Sequence, residues 1–463
     1  MKQMKRLTAI ANHFVKAAAL GLCCVSWAMA QDSVTKNVAE VEYARGVGFA
    51  QSGQQTPRAM GKGLTLQEGD RITTADQSTA ILKFTDGSRL TVRPNSEIVV
   101  KQFQYRENAS SNNMLLEMLR GGLRAITGLI AKGSPNAARI QTNTATIGIR
   151  GTDFDARLCA KDCHAEANQI EAVARPNTPQ ASARVLVANG DLSATDSQGT
   201  KRRMVSGASI YPGDLLETAR GSHAVIAFRD DSRMTLGSAT RFKVEQFVYD
   251  VKNPNEGKFL VSLVRGTLRA LTGLIGKANP QNVRFTTPTA TIGVRGSGSD
   301  ISYHDSCQGE PASCVTGLSV YVWLGSFIVD AQGRTAIEVL LSGEGLHISG
   351  AELRRFTDAP DPRIPRPDAV PTPGNLFNNE KGEPDEGLYL FVRDGHIEIA
   401  TDKEVLHLGR GEAGVVGADG LSRRPEYIPK FLDYDRIPLP NARNPAILDV
   451  LTSAGVKAPP ICR

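Results

Sequence analysis

The ten residues TATIGIRGTD at 144–153 recur 145 residues later in the chain as TATIGVRGSG at 289–298. The similarity extends upstream, where residues 63–105 align with residues 207–249 at an offset of 144. Another aligned pair, after one inserted residue, is LLEMLRGGLRAITGLIAK at 115–132 and FLVSLVRGTLRALTGLIGK at 259–277. A duplication of this length predicts two tandem domains rather than a short-period solenoid array.

Apolar residues alternate with polar ones on both sides of Asp86-Gly87. Period-two alternation around an Asp-Gly pair predicts a β-hairpin, because these residues supply the positive φ angles of a tight primed turn. The second copy has Asp230-Asp231 at this place, so we expect its turn to be looser.

The repeated TATIG segment is rich in β-branched residues and interrupted by glycine, which predicts a strand with a tight bend or a close backbone approach at Gly148 and at Gly293. Glycines also interrupt the apolar residues of 115–132. This favours a strand, a glycine bend and one helical turn over a continuous amphipathic helix. A shorter strand–turn–strand unit occurs four times, and its last two occurrences follow the second copy.

The chain begins with a basic segment, an apolar stretch and Ala28-Met29-Ala30, which are typical of a secretory signal. Two later regions are rich in proline, and PAILDVLTSAG at 445–455 has the caps of a short helix. The expected organisation is a signal peptide at 1–30, domain 1 at 39–183, domain 2 at 184–318, a β unit closing domain 2 at 319–357, a Pro-rich linker or long surface loop at 358–386, a C-terminal β unit at 387–420 and a Pro-rich tail at 421–463.

Charge argues against a nucleic-acid partner. The whole chain carries a net charge of +6, and the signal contributes four basic residues and no acidic ones, which leaves +6 − 4 = +2. A chain of this length with so little excess charge lacks the basic footprint of nucleic-acid binding. No later segment has the roughly 18 apolar residues of a spanning helix.

Five cysteines follow the signal segment. In an exported chain, the close pairs Cys159–Cys163 and Cys307–Cys314 predict two disulfides that each fix a local hairpin. Cys462 has no predicted partner, and its role is not assigned.

The ordered set GDRITT at 69–74, DGS at 86–88, TATIGIRGTDF at 144–154 and TPTATIGVRG at 287–296 resembles the FecR domain family. The resemblance implies an all-β extracytoplasmic domain, solenoid-like or a twisted sandwich, that works by contact with other envelope proteins. Known signalling members carry a cytoplasmic anti-sigma segment and a membrane helix, which we do not expect here. The second copy departs from the pattern at Ser297-Gly298-Ser299, so its loop is expected to differ in role.

The residues shared by the copies predict scaffold rather than chemistry. Asp70 and Asp214 follow glycines at equivalent positions, which favours turn capping over a catalytic carboxylate pair. Arg150 and Arg295 lie in strand-like runs, which favours a structural ion pair or carbonyl contact over ligand binding. The glycines assigned the same structural role are Gly69, Gly148, Gly151, Gly213, Gly293 and Gly296.

The chain contains none of the motifs H-E-x-x-H, G-x-S-x-G or G-x-x-x-x-G-K. Cys159-Ala-Lys-Asp-Cys163-His164 is one residue longer than a C-x-x-C-H haem attachment motif, and oxidised thiols cannot bind zinc. A disulfide beside a surface histidine is therefore the preferred interpretation. We expect no enzymatic activity, no cofactor and no metal.

These observations predict an exported periplasmic protein of a Gram-negative envelope, acting as a non-enzymatic scaffold or as a signalling or binding module for envelope proteins. The alternative is a module that binds cell-wall glycan or another carbohydrate. It ranks second because Trp323 is the one tryptophan after the signal segment. The sequence does not identify the partner, the oligomeric state or whether the two copies pack together.

Overall fold

Both copies of the repeat fold into short strands in the same order. The computed structural model describes residues 37–107, 109–133, 137–308, 314–360, 363–379 and 384–433. The elements up to the end of the first copy are β1 Asn37–Arg45, β2 Gly48–Ser52, β3 Arg58–Ala59, β4 Thr65–Gln67, β5 Asp70–Thr74, β6 Thr79–Phe84, β7 Arg89–Val92, β8 Glu97–Gln104, β9 Asn113–Ile126, α1 Leu129–Gly133, β10 Ala138–Gln141, β11 Thr146–Ala160 and α2 Cys163–Asn168.

The second copy repeats this order, and further strands follow it. These elements are β12 Ala183–Asn189, β13 Leu192–Thr195, β14 Lys201–Met204, β15 Ser209–Ile210, β16 Leu215–Thr218, β17 His223–Phe228, β18 Arg233–Leu236, β19 Arg241–Val248, β20 Lys258–Leu271, α3 Leu274–Ala278, β21 Val283–Thr287, β22 Ala290–His304, β23 Gly317–Ala331, β24 Glu338–Leu341, β25 Gly345–Ser349, β26 Glu352–Phe356, β27 Glu386–Ala400, β28 Val405–Gly409, β29 Ala413–Gly417, β30 Ser422–Arg423 and α4 Lys430–Asp433. Single 3-10 turns lie at Pro254–Glu256, Pro280–Asn282 and Pro367–Ala369.

The strands form two sheets with the same connectivity, so the all-β fold class is confirmed. The first sheet runs β3-β2-β5-β8-β9-β10-β11-β27-β29-β30, and β1, β4, β6, β7 and β28 pair beside this path. The second sheet runs β14-β13-β16-β19-β20-β21-β22-β23-β25-β26, and β12, β15, β17, β18 and β24 take the corresponding side positions. Among the described strands, the parallel pairs are β9 with β10 and β20 with β21.

The first sheet is completed by strands that follow the second copy in the chain. In the second sheet, β22 and β23 form one long hairpin, from Ala290 opposite Ala331 to His304 opposite Gly317. In the first sheet, β11 makes the equivalent antiparallel pairing with β27. Residues 161–385, which include the whole second sheet, therefore lie between two adjacent strands of the first sheet.

Each sheet has its own apolar core, and the core of the first sheet includes the late strands. Ile147 on β11 packs in one buried cluster with Leu82, Leu390 and Ile399. The second sheet buries a separate cluster that includes Phe228, Phe259 and Phe285. β27 and β28 are thus part of the first sheet in packing as well as in hydrogen bonding.

The hairpins between β6 and β7 and between β17 and β18 have the same turn. Phe84 N donates to Ser88 O at 2.8 Å, and Phe228 N donates to Ser232 O at 2.8 Å, which makes each loop three residues long. Gly87 has φ +84° and Asp231 has φ +63°, whereas Asp86 does not adopt a positive φ. The expectations of a two-residue primed turn, and of a looser second turn, are therefore wrong: Asp231 takes up the left-handed conformation that Gly87 adopts freely.

The aspartate before each left-handed residue binds the chain that follows the long strand. Asp230 accepts hydrogen bonds from Ser232 N at 3.1 Å and Ser232 Oγ at 2.9 Å, and Ser232 Oγ accepts one from Gly273 N at 2.7 Å. Asp86, Ser88 and Gly128 make the same contacts in the first copy. The strand, glycine bend and helical turn predicted for 115–132 are observed as β9, Gly121 with φ +77° and α1.

The predicted tight bends at Gly148 and Gly293 are absent, because both residues lie inside the regular pairing of β11 and β22. Neither has a positive φ, and a Cβ added to Gly293 would lie 3.7 Å from Ile328 Cβ, an ordinary contact. The irregularity in β11 comes later, at Gly151, which has φ +59° and lies where the register with β27 shifts.

The proline-rich segment packs against the second sheet over its described residues 363–379. Leu376 is buried with Leu186, Val225 and Ala227 on the outer side of β12 and β17. The segment is therefore a surface loop rather than a free spacer. The predicted signal peptide, the helix predicted at 445–455 and Cys462 lie outside the described residues. Within the described ranges, no helix is long and apolar enough to cross a membrane.

We predict that Gly273→Ala destabilises the second sheet by about 2 kcal/mol or more, because the added Cβ would lie in the backbone of the Asp230 turn. That Cβ would be 1.9 Å from Asp230 O and 2.4 Å from Ser232 N. The matched control is Gly293→Ala, which meets no close atom and should change stability by less than about 1 kcal/mol. Urea unfolding of both variants measures the difference, and equal losses would contradict this steric account.

Candidate functional site

The repeated aspartates lie in separate sheets, and each binds its own turn. Asp70 is fully buried, accepts a hydrogen bond from Gln67 N at 2.8 Å and pairs with Arg58 Nη2 at 2.6 Å. Asp214 accepts one from Tyr211 N at 2.8 Å and pairs with Arg202. The preceding residues Gly69 and Gly213 have φ +88° and φ +91°. These contacts are turn caps, and in each sheet an ion pair reinforces them.

Arg150 makes an ion pair within the first sheet. Its Nη2 lies 3.2 Å from Glu398 Oε2 on β27. Burial lowers the pKa of Arg150, the charge of Glu398 raises it, and Arg203 lowers it further. The equivalent Arg295 and the adjacent Gly296 lie in β22, and their side-chain surroundings are outside the described part of the chain.

The two close cysteine pairs are disulfides. Cys159–Cys163 joins the end of β11 to the start of α2, and Cys307–Cys314 joins the segments that follow β22 and precede β23. Nε2 of His164 lies 3.2 Å from Asp385 Oδ1 at the surface. Because the sulfurs of Cys159 and Cys163 are bonded to each other, neither is available to haem or zinc. No cluster of potential metal ligands occurs among the residues that the structure describes.

The largest buried polar group that the sequence did not predict lies where the second sheet meets β27–β30. Arg184 on β12 has no exposed surface and donates through Nη2 to Glu412 Oε2, which is also fully buried. Its Nη1 donates to Gly207 O at 3.1 Å and to Ser209 Oγ at 3.0 Å. Arg184 of the second sheet therefore binds Glu412, which belongs to the first sheet.

Arg424, which follows β30, contacts the same oxygen of Glu412 as Arg184 does. Its Nε is 3.5 Å from Glu412 Oε2, and its Nη2 donates to His407 O on β28. Burial lowers the pKa of Arg424 to about 10, with the charge of Arg184 lowering it further and Glu412 raising it. Arg424 therefore stays charged at neutral pH, and the two arginines share one glutamate.

Two histidines of the first sheet stack beside these arginines. The rings of His396 on β27 and His407 on β28 have centroids 5.4 Å apart, and His407 Nδ1 lies 3.3 Å from His396 Nε2. Burial, followed by the charges of Arg184, Arg150 and Arg424, lowers the pKa of His407 to about 3. Burial and then His407 place the pKa of His396 well below its ordinary value. Both rings are thus neutral, and we call Arg184, His396, His407, Glu412 and Arg424 the interface cluster.

Backbone atoms of the two sheets approach closely around the interface cluster. A Cβ on Gly207 would lie 2.2 Å from the His407 ring, and a Cβ on Gly409 would lie 2.3 Å from Ser209 Oγ. Arg410 N donates to Tyr211 Oη at 2.8 Å. The absence of side chains at Gly207 and Gly409 is what lets the two sheets pack at this distance.

One difference between the two copies could have predicted this interface from the sequence. At the offset of 144, Arg184 occupies the position of Glu40, and Glu40 is exposed on β1. Arg184 lies between apolar residues of an alternating strand, where an arginine is fully buried only when it has partners. Alternation places both residues on the face opposite the core residues that flank them, so a reversal of charge there indicates a contact that one copy makes and the other does not.

We predict that Arg184→Met destabilises the chain by about 3–5 kcal/mol, because it leaves Glu412 buried without its nearest cation. The double variant Arg184→Met/Glu412→Gln should lose less than the sum of the two single losses. Arg203→Met is the matched control, since Arg203 pairs with Asp191 where 61% and 78% of the side chains are exposed. It should cost less than about 0.5 kcal/mol in urea unfolding, and equal losses at Arg184 and Arg203 would contradict the role of the interface cluster.

Comparison with known proteins gives one family and a distant structural similarity. The model of the family described as FecR protein matches residues 70–175 and 214–317. No curated protein matches the chain. Two crystal structures of a candidate anti-sigma factor from Parabacteroides distasonis ATCC 8503, at 1.65 Å and 2.50 Å resolution, match with 16% identity and a TM-score of 0.23. The match covers 31% of this chain and 58% of the length of each of those chains.

The two FecR matches fall on corresponding parts of the two sheets. The first covers β5 to β11 and α2, and the second begins just before β16 and ends at the first residue of β23. The family match therefore agrees with the duplication that the strand order shows. The chain thus contains two regions that match the FecR family model, one in each of its two sheets.

Proposed function

We propose that this chain is an exported, non-enzymatic module of the bacterial envelope that binds another envelope protein and takes part in signalling there. Periplasmic location is part of the proposal, and the two disulfides support it, because such bonds persist in oxidising compartments. The absence of enzymatic activity is also part of the proposal. It is supported by the repeated polar residues, whose side chains bind turns and neighbouring strands within the fold.

The observation that carries the proposal is an exposed apolar surface on the second sheet. Five large apolar side chains of β23, β24 and the residue before β24 lie close together and are 44–60% exposed. Ile328 and Val339 are directly opposite each other in adjacent strands, as are Ser326 and Leu341. We call Leu324, Ile328, Ile337, Val339 and Leu341 the apolar strip. A contiguous exposed apolar surface on a protein often marks an interaction site.

The equivalent surface of the first sheet is already an interface. The pairing of β11, β27 and β28 places Glu398 and His407 where the second sheet has Ile328 and Val339. His407 is covered by the second sheet at Gly207. The same surface of the fold is thus buried in the first sheet and exposed in the second. This difference supports protein binding at the apolar strip.

The partner is a different protein, because a second copy of this chain does not fit in the geometry of the internal contact. Leu341 occupies the position of Gly409, where a side chain would collide with the facing strand. Glu40 occupies the position of Arg184 and would face Glu344, the counterpart of Glu412. The partner surface should therefore be apolar where it meets Val339 and Leu341, and it should carry a basic residue towards Glu344.

Binding of cell-wall glycan is less well supported. Sugar-binding surfaces use exposed aromatic faces, and the ring of Trp323 is covered by the guanidinium of Arg366 at 4.0 Å. Gly298 also lies against the indole, because a Cβ on Gly298 would be 2.2 Å from it. The indole is therefore packed between a loop and a strand.

A photocrosslinking residue at Val339 tests the proposal in intact cells, with Leu129 as the matched position. Leu129 is 56% exposed on α1 of the first sheet, close to the 51% of Val339. We expect a crosslinked product with a different envelope protein from position 339, none from position 129, and at least a tenfold loss of the product when Leu341→Glu is added.

Three results would contradict the proposal. They are no product from position 339, a product of twice the chain's mass, and retention of the chain on purified peptidoglycan without any crosslinked protein. The last result would favour the glycan alternative.

A further inference from the structure

The two sheets meet at a group of charged side chains where an added positive charge would lie close to arginines. Three arginines, Arg150, Arg184 and Arg424, act on the two histidine rings, and the carboxylates paired with these arginines are Glu398 and Glu412. Each glutamate is already engaged with an arginine. A proton on either ring would therefore add like charge at a site from which water is largely excluded.

We propose that the interface between the two sheets is an acid-sensitive clamp, in which uptake of protons by His396 and His407 separates the second sheet from β27–β30. Gly207 of the second sheet covers His407, and His396 stacks on His407, so opening the contact gives water access to this pair of rings. The clamp is a form of regulation that goes beyond the binding proposed at the apolar strip.

The charged groups that act directly on the two rings come from three elements. β11 contributes Arg150, β12 contributes Arg184, and the segment after β30 contributes Arg424. The carboxylates nearby are Glu398 on β27 and Glu412 before β29, each paired as described. Tyr211 stays neutral, because burial and then Glu412 raise its pKa. None of these groups supplies a free anion to a protonated ring.

The direction of the pH effect follows from the pKa of the rings in the closed and open states. In the closed state the pKa of His407 is about 3 and that of His396 lies well below its ordinary value, whereas an exposed histidine has a pKa of about 6.5. The open state thus binds more protons, and the closed state is fully favoured above pH 6.5 and loses stability as the pH falls from there towards 3. At pH 5.5 each ring favours the open state by about tenfold relative to neutral pH.

Hydrogen exchange at the interface measures the opening directly. Arg410 N donates to Tyr211 Oη across the contact at 2.8 Å, so a peptide that contains Arg410 exchanges faster when the sheets separate. Exchange is measured by mass spectrometry on the full chain at pH 7.0 and 5.5, and each rate is divided by the intrinsic rate at that pH. β8 serves as the reference, because it lies within the first sheet.

We expect the protection of the Arg410 peptide to fall about tenfold or more between pH 7.0 and 5.5, while β8 changes little. His407→Gln and His396→Gln should each reduce that fall. His347→Gln is the matched control, because His347 is a buried histidine of the second sheet that bonds Ser319 Oγ at 2.8 Å, away from the interface. It should leave the pH response of the Arg410 peptide unchanged.

A second measurement covers the case in which the glutamine variants do not fold. Nuclear magnetic resonance titration of the imidazole carbons in the unmodified chain should find two rings that stay neutral in the closed state down to pH 5.5. The proposal is overturned if all rings titrate near pH 6.5 without any change in exchange. It is also overturned if the Arg410 peptide keeps its protection at pH 5.5, or if the glutamine variants keep the full pH response.

Discussion

The antiparallel pairing of β11 with β27 is the contact on which the arrangement of the whole chain depends. It runs from Thr146 opposite Ala400 to Ala160 opposite Glu386, and it joins segments separated by the entire second sheet. Without β27, β11 would expose a long edge of unpaired backbone groups and the core of the first sheet would lose Leu390 and Ile399. The second sheet therefore has to fold within a loop whose ends are fixed by the first.

This constraint suggests an order of assembly. The second sheet is built from one continuous stretch, β12 to β26, and its closing pair β22 and β23 is a simple hairpin. The first sheet needs a pairing of high sequence separation, which is entropically costly to form early. We therefore expect the second sheet to form without waiting for the first, whose completion brings Glu412 to Arg184.

Local features of the fold could be predicted from the sequence, and the long-range pairing could not. Alternation around Asp86 and Asp230 predicted the hairpins, because period two reflects the two faces of any strand. The partner of β11 was not predictable, since apolar strands such as β23 and β27 offer similar backbone edges and differ little in pattern. The bend assigned to Gly148 failed for a related reason. Glycine permits a bend, but the strands on both sides determine whether one occurs, and here it falls at Gly151.

The divergence between the two copies carries more information about function than their identity. The shared residues, such as Asp70 and Asp214, use their side chains to stabilise turns, so both copies keep them because both have the same fold. The residues that differ lie on surfaces that are buried in one copy and exposed in the other. Arg184 is buried whereas the equivalent Glu40 is exposed, and Gly409 is covered whereas the equivalent Leu341 is exposed. These changes fit one surface of the repeat to the neighbouring sheet, and the other copy lacks the residues that make this contact. An open-ended head-to-tail series is the expected risk of any contact between non-equivalent surfaces of a repeat. Leu341 in place of Gly409, and Glu40 in place of Arg184, disfavour such a series by a steric clash and by like charge.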